Sequence, residues 1–138
     1  MDKILIVDDE LNMRLVLAAM LKREGYEVAS AVDGLEALQI LRSGPVAAVV
    51  TDLKMPRIDG MELLNRINLE YPDVPVIMIT AHGTVATAVE ALKKGALDYI
   101  TKPFELEELQ NVVSKAIKTR NLNIHEWQAS PEDIERNG

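Results

Sequence analysis

Short apolar runs alternate with longer amphipathic segments five times along the chain. The runs are rich in Ile, Val and Leu, which is typical of strands that are buried on both faces of a parallel sheet. They predict strands at Lys3–Asp8, Tyr26–Ala31, Val46–Asp52, Val76–Thr80 and Leu97–Thr101. The second strand is partly polar and is expected at an edge of the sheet, whereas the third is the most apolar and is expected near its centre.

The segments that follow the strands carry apolar residues at helical spacing and predict five helices. They are expected at Leu11–Glu24, at Asp33–Ser43, from Asp59 onward, at Thr84–Lys94 and at Glu105–Lys118. Asp33 and Asp59 each precede a Glu by three residues, which is the pattern of a helix N-cap. The expected apolar stripes are Leu11, Leu15 and Ala18 in the first helix, Val85, Ala88, Val89 and Leu92 in the fourth, and Leu106, Leu109, Val113 and Ile117 in the last.

Alternation of strands and helices with short connections predicts a parallel sheet covered by helices on both faces. Five such units fit the flavodoxin-like (βα)5 doubly wound fold with strand order 2-1-3-4-5. In that order the first and third strands are neighbours where the strand order reverses. Ligands of such sheets bind at this point, beyond the carboxyl ends of the strands.

Length and composition restrict the organisation further. The 138 residues predict one domain at 1–120, followed by a linker or poorly ordered tail at 121–138, where the apolar period is lost. The net charge of −7 argues against direct binding of nucleic acid. The sequence has no cysteine, no apolar stretch of about 18 residues and no secretory signal, so a cytoplasmic domain that does not span a membrane is expected.

Three carboxylates are predicted at the carboxyl edge of this sheet. Asp8 and Asp9 follow the first strand, and Asp52 ends the third. Because carboxylates this close repel one another, a bound cation is expected to neutralise them. Mg²⁺ prefers oxygen ligands and is favoured over Zn²⁺, since no His or Cys lies nearby; Mn²⁺ is the alternative.

Two further strand ends supply groups that complement an anion. Thr80 ends the fourth strand with a hydroxyl, and Lys102 follows the fifth with an ammonium group, next to a Lys102–Pro103 bond that is a candidate for the cis isomer. A carboxylate nucleophile, a cation, a hydroxyl and an ammonium group together predict phosphoryl transfer onto Asp52. Taken singly, each residue has an ordinary interpretation, such as a helix cap for Asp9 or a solvated charge for Lys102.

Four segments, in this order and spacing, resemble the receiver domain of two-component response regulators. They are Ile4–Glu10, Val49–Gly60, Met78–Ala81 and Asp98–Phe104, and the resemblance covers residues 3–118. A finer resemblance, carried by Ala81–Ala96 followed by Asp98–Phe104, is to receivers of enhancer-binding activators that work with the alternative sigma factor. Those regulators carry an ATPase domain and a DNA-binding domain, neither of which is present in this sequence; a stand-alone receiver is the alternative.

The resemblance implies a role for each matching residue. Asp52 is then the phosphorylated residue, Asp9 a direct ligand of Mg²⁺, Asp8 a ligand acting largely through water, and Lys54 a ligand through its backbone carbonyl. Thr80 and Lys102 contact the phosphoryl group, and Tyr99 is the switch aromatic. The implied partners are a sensor histidine kinase and then a second copy of the chain or an output domain, which meets the surface of the fourth helix, fifth strand and fifth helix.

Two other functions are weighed against this one. A Mg²⁺-dependent phosphohydrolase would need a second carboxylate near the nucleophile, but Lys54 stands two residues after Asp52. An interaction module that keeps only the fold would be expected to have a broken site, and this site is intact. The sequence therefore predicts a phosphoacceptor that receives and loses its own phosphoryl group rather than an enzyme.

Overall fold

The computed structural model describes residues 2–128, and these form five β-strands and five α-helices in strict alternation. In chain order they are β1 (Lys3–Val7), α1 (Leu11–Arg23), β2 (Glu27–Ala31), α2 (Gly34–Ser43), β3 (Ala48–Thr51), α3 (Gly60–Glu70), β4 (Val76–Thr80), α4 (Val85–Lys93), β5 (Asp98–Thr101) and α5 (Leu106–Gln128). All neighbouring strands are parallel, in the order β2-β1-β3-β4-β5. The predicted flavodoxin-like fold and strand order are confirmed.

The sheet separates two apolar cores because successive side chains of a strand point to opposite faces. Leu5 and Val7 of β1 pack with α2 and α3, whereas Ile4 and Ile6 pack with α1 and α5. All of these side chains are at most 1% exposed. Strands covered on both faces in this way have to be apolar throughout, which is why short apolar runs located them so well in the sequence.

Two helices do not present the face that their apolar residues predicted. In α1, Leu11 and Leu15 are each 59% exposed, and the buried residues are Leu17 and Leu21. Apolar residues occur on more than one face of this helix, so spacing alone did not identify the buried one. The predicted stripe through Leu11 and Leu15 is wrong.

The predicted stripe of α4 is also wrong. Val85 is 83% exposed, Val89 45% and Leu92 49%, and the buried residue is the small Ala91. Thr84 caps the helix by accepting a hydrogen bond from the Thr87 amide at 3.1 Å. A helix that approaches the sheet through alanine leaves its larger apolar residues facing outward.

The last helix is longer than predicted. It continues to Gln128 rather than ending at Lys118, so that predicted end is wrong. Leu109 and Val113 of its predicted stripe are fully buried, whereas Leu106 is 39% exposed. Residues 129–138 of the predicted tail lie outside the described residues, and the domain boundary at residue 120 stays a prediction.

None of the helices in residues 2–128 has the length and apolar character needed to cross a membrane.

Candidate functional site

The register of the sheet brings the three predicted carboxylates together. Val7 pairs with Thr51 across β1 and β3, so the residues that follow, Asp8 and Asp52, emerge side by side. The Asp52 amide donates to the Val7 carbonyl at 2.8 Å and continues the pairing by one step. Asp8, Asp9 and Asp52 each offer a carboxylate oxygen, and these oxygens all lie within 4.8 Å of one another.

The three carboxylates differ in their exposure and in the number of hydrogen bonds that they accept from the protein. Asp8 is 1% exposed; one of its oxygens accepts from the Glu10 amide at 2.9 Å and the other from the Lys102 ammonium at 2.8 Å. Asp52 is 3% exposed and accepts from the Leu53 amide at 2.7 Å. Asp9 is exposed, and none of the hydrogen bonds or ion pairs among residues 2–122 involves its carboxylate. It is therefore the carboxylate with most capacity to take a ligand.

Lys102 supplies the positive charge of the cluster. Its ammonium nitrogen lies 2.8 Å from Asp8 Oδ2 and 3.5 Å from Asp52 Oδ2. Burial favours the neutral amine, but the hydrogen bond to Asp8 and the negative charges of Asp52, Asp8 and Glu10 outweigh it, so the pKa of Lys102 lies above its ordinary value. The side chain stays a cation at neutral pH. The Lys102–Pro103 bond is cis, as predicted.

Thr80 and Tyr99 lie in a second group next to the carboxylates. Thr80 is fully buried at the end of β4, and its hydroxyl oxygen accepts from the His82 amide at 3.0 Å. The Tyr99 hydroxyl hydrogen-bonds the Thr87 hydroxyl at 3.1 Å. No hydrogen bond within residues 2–122 joins the Thr80 side chain to Asp52 or Lys102. The structure therefore brings Lys102 to the carboxylates but leaves the Thr80 hydroxyl bonded to the loop that follows β4.

Sequence reasoning missed three contributors to this region. Gly83 leaves the space that the Tyr99 hydroxyl fills, and Thr87 is the partner of that hydroxyl. Arg57 forms an ion pair with Asp33, which the sequence marked only as a helix cap. The Thr84–Thr87 spacing was a detectable signal of a cap, but nothing in the sequence links Gly83 to Tyr99 or Arg57 to Asp33.

The donor set suits a hard divalent cation. The available ligands are carboxylate oxygens together with the backbone of the β3–α3 loop, where Lys54 lies exposed, and oxygen-only sites are those that Mg²⁺ prefers. The Lys102 ammonium contacts two of the three carboxylates, and the Arg14 guanidinium donates to the Asp8 carbonyl at 2.8 Å. Three carboxylates still outnumber these two cations, so the cluster has a net negative charge. The residues present therefore fit Mg²⁺.

Comparison with known proteins agrees with this geometry. Residues 4–114 match the family described as the response regulator receiver domain. The chain belongs to that family. Receiver domains bind Mg²⁺ at an acidic pocket, and they are not a family of catalytic enzymes. The resemblance carried by the four sequence segments is thereby confirmed.

Relatives of the receiver domain are regulatory proteins. The chain is 42% identical over 120 residues to the transcriptional regulatory protein ZraR of Klebsiella oxytoca, covering 87% of this chain and 27% of ZraR. It is 46% identical over 121 residues to an NtrX-like response regulator of Rickettsia conorii, covering 86% of this chain and 26% of that protein. The chain thus spans about a quarter of the length of these relatives.

A solved structure shares the fold along almost its whole length. A response regulator receiver domain protein from Clostridium thermocellum superposes with a TM-score of 0.84 at 34% identity, covering 88% of this chain and 98% of that one. The alternation of five strands and five helices is therefore the fold of the family.

Gly83→Ala is expected to displace the Tyr99 ring. A Cβ at residue 83 would lie 1.7 Å from the Tyr99 hydroxyl, which is the far end of a rotatable side chain and gives way more easily than backbone. We expect loss of the Thr87–Tyr99 hydrogen bond and a decrease of about 1 kcal/mol in the free energy of unfolding. NMR of the labelled Tyr99 ring would record the displacement, and unchanged ring shifts would contradict it.

Proposed function

We propose that this receiver domain accepts a phosphoryl group on Asp52 from a sensor histidine kinase in a Mg²⁺-dependent reaction. The observation that carries the proposal is the position of Asp52, a nearly buried carboxylate 3.5 Å from a lysine ammonium and grouped with two further carboxylates. A buried nucleophile with fixed neighbours needs little reorganisation when charge moves onto the transferred group.

The reaction is an in-line displacement at phosphorus. An Asp52 carboxylate oxygen forms the new P–O bond while the P–N bond of a phosphohistidine breaks, and its electron pair stays with the imidazole. The product is an acyl phosphate. Bound Mg²⁺ would neutralise charge on the phosphoryl oxygens. The Lys102 ammonium lies 3.5 Å from Asp52 Oδ2 and would contact a phosphoryl oxygen there.

We propose ligand roles that agree with the number of hydrogen bonds each carboxylate already accepts. Asp9 has an unoccupied carboxylate and would bind the ion directly, whereas both Asp8 oxygens already accept hydrogen bonds and would act through bound water. The third carboxylate is Asp52 itself, and the Lys54 backbone carbonyl would complete the protein ligands. Mn²⁺, with similar ligand preferences, is expected to substitute.

Phosphorylation would act on the second group of residues. We propose that the Thr80 hydroxyl leaves the His82 amide for the phosphoryl group and that Tyr99 adjusts its packing in response. This would change the surface of α4, β5 and α5, where Val85, Val89 and Leu92 are exposed. A small local change is transmitted in this way when a packed element has two arrangements.

The readout of this switch is proposed from the same surface. An apolar stripe on α4 suits a protein partner, either a second copy of the chain or an output domain, and the net charge of −7 disfavours direct contact with nucleic acid. Since ZraR is a transcriptional regulatory protein, control of transcription in the cytoplasm is the process we propose.

The test is intact mass after incubation with acetyl phosphate, with and without Mg²⁺. We expect one added phosphoryl group that requires Mg²⁺ and is absent from Asp52→Asn, because an amide cannot form the acyl phosphate. Asn keeps the size of the side chain, so the variant is a matched control for the fold. Absence of labelling in the wild type, or equal labelling of Asp52→Asn, would contradict the proposal.

A further inference from the structure

An ion pair that the proposed reaction does not use joins two loops at the carboxyl edge of the sheet. The Arg57 guanidinium, in the loop between β3 and α3, donates to Asp33 Oδ2 in the loop before α2. The Asp33 side chain is 1% exposed, whereas that of Arg57 is 63% exposed. The other Asp33 oxygen accepts from the Glu36 amide at 2.9 Å and caps α2. The buried Asp33 carboxylate therefore caps α2 and also binds the β3–α3 loop.

The charge of Asp33 is held in place by both contacts. The hydrogen bond from the Glu36 amide, and then the Arg57 guanidinium, keep the pKa of Asp33 below its ordinary value against the opposing effect of burial. Asp33 is thus ionised at neutral pH, and its contact with Arg57 is an ion pair.

The backbone of Arg57 has a conformation that is uncommon for a residue with a side chain. Its φ is +68°, in the left-handed region that glycine occupies without strain and that residues with a side chain rarely adopt. Arginine in this conformation is held by its surroundings, and residues held in this way concentrate at functional sites. A glycine at position 57 would adopt this φ without strain but could not form the ion pair with Asp33.

The same loop carries the proposed backbone ligand of the metal ion. The loop is closed at its ends because the Gly60 amide donates to the Leu53 carbonyl at 2.8 Å. Its middle is fixed where Ile58, 6% exposed, packs on Gly34, since a Cβ at residue 34 would lie 2.7 Å from Ile58 Cβ. Two consecutive residues at the start of α2, 33 and 34, thus hold two consecutive residues of the β3–α3 loop, 57 and 58.

We propose that the Asp33–Arg57 ion pair is a positioning device that holds the β3–α3 loop and thereby sets the Mg²⁺ affinity of this receiver domain. Lys54 lies between the anchored Leu53 and Arg57. The four steps of chain from residue 53 to residue 57 span at most about 14 Å, so fixing both ends restrains where the Lys54 carbonyl points. The inference rests on the proposed function, which assigns that carbonyl to the metal ion. Arg57 and Asp33 are positioning residues and touch neither the ion nor the phosphoryl group.

The test measures Mg²⁺ affinity by titration of the amide NMR signals of residues 52–54. Arg57→Gly removes the guanidinium and suits the positive φ, while Asp33→Asn keeps an oxygen that caps α2 and removes the charge. We expect each variant to bind Mg²⁺ about 10-fold more weakly, as for other residues that orient metal ligands. The double variant should be no weaker than either single one, because both break the same contact. Arg57→Lys, which keeps the charge, should recover part of the affinity.

Two controls separate positioning from folding. Arg66→Ala breaks the exposed Glu62–Arg66 ion pair in α3 and should leave Mg²⁺ affinity unchanged. Arg57→Gly relieves a strained φ but leaves the buried Asp33 carboxylate without its ion pair, so the two effects on stability oppose each other. We expect a small change in the urea midpoint without Mg²⁺, together with a clear loss of Mg²⁺ affinity. A loss of affinity that simply follows a loss of stability would overturn the proposal.

The result also distinguishes this proposal from the proposed function. If the wild type binds Mg²⁺ and is labelled by acetyl phosphate while both single variants keep wild-type affinity, only the positioning role is overturned. Additive losses in the double variant would overturn it as well. If the wild type binds no Mg²⁺, both proposals are overturned.

Discussion

Asp9→Ala is expected to weaken Mg²⁺ binding at least about 100-fold, a larger effect than that of a residue which only orients a ligand. Asp9 is the carboxylate of the cluster whose oxygens the protein leaves free, whereas both Asp8 oxygens accept hydrogen bonds and Asp52 accepts one from Leu53. A hard cation that loses its most available anionic ligand has no nearby substitute. Labelling of Asp52 by acetyl phosphate should fall with the affinity.

The measurement is the effect of Mg²⁺ on unfolding. A ligand at about 100 times its Kd stabilises the folded state by about 2.7 kcal/mol, so Mg²⁺ should raise the unfolding midpoint of the wild type and leave that of Asp9→Ala in place. Without Mg²⁺ the variant should be at least as stable as the wild type, because one of three repelling charges is gone. Asp73→Ala is the control. Asp73 precedes β4 and so lies at the amino ends of the parallel strands, away from the carboxylates, and this variant should keep the response to Mg²⁺. Equal stabilisation of Asp9→Ala would rule out Asp9 as a ligand.

The sheet and its carboxylates were predictable because both depend on short-range patterns. An apolar run such as Ile4–Val7 has one stable environment, a strand covered on both faces, and the acidic residue that follows must then lie at the edge. Chain order and the topology rules for parallel sheets predict that Asp8 lies beside Asp52, and the register of β1 and β3 agrees.

The helix faces and the supporting contacts were less predictable because they depend on partners distant in the sequence. Spacing favoured Val85 and Val89 as the buried face of α4, but the helix packs through Ala91. The fit of Tyr99 against Gly83 depends on the approach of two loops, as does the pairing of Arg57 with Asp33. The local sequence does not indicate which loops lie next to one another in the folded protein.

Gly60→Ala is expected to lower the free energy of unfolding by about 3 kcal/mol, at the upper end of the cost of forcing an extra carbon into a packed region. A Cβ at this position would lie 2.3 Å from the Asp52 carbonyl oxygen and 2.9 Å from Leu53 Cα. Both are backbone atoms, which cannot rotate away as a side chain does. Relief requires α3 to move away from the end of β3, which would displace Asp52 as well as destabilise the fold. The small helix propensity that Ala gains over Gly does not offset this.

Urea unfolding of Gly60→Ala beside Gly44→Ala would test this argument. Gly44 has a φ of 172°, an extended conformation that any residue adopts, and a Cβ there would meet nothing within 4 Å. The same chemical change at Gly44 should therefore alter the free energy of unfolding by less than about 0.5 kcal/mol. Because the first residue of α3 packs against the Asp52 backbone, we also expect Gly60→Ala to slow labelling of Asp52 under conditions where the variant is still folded. Equal stability of the two variants would mean that the contact between Gly60 and the Asp52 backbone does not constrain the site.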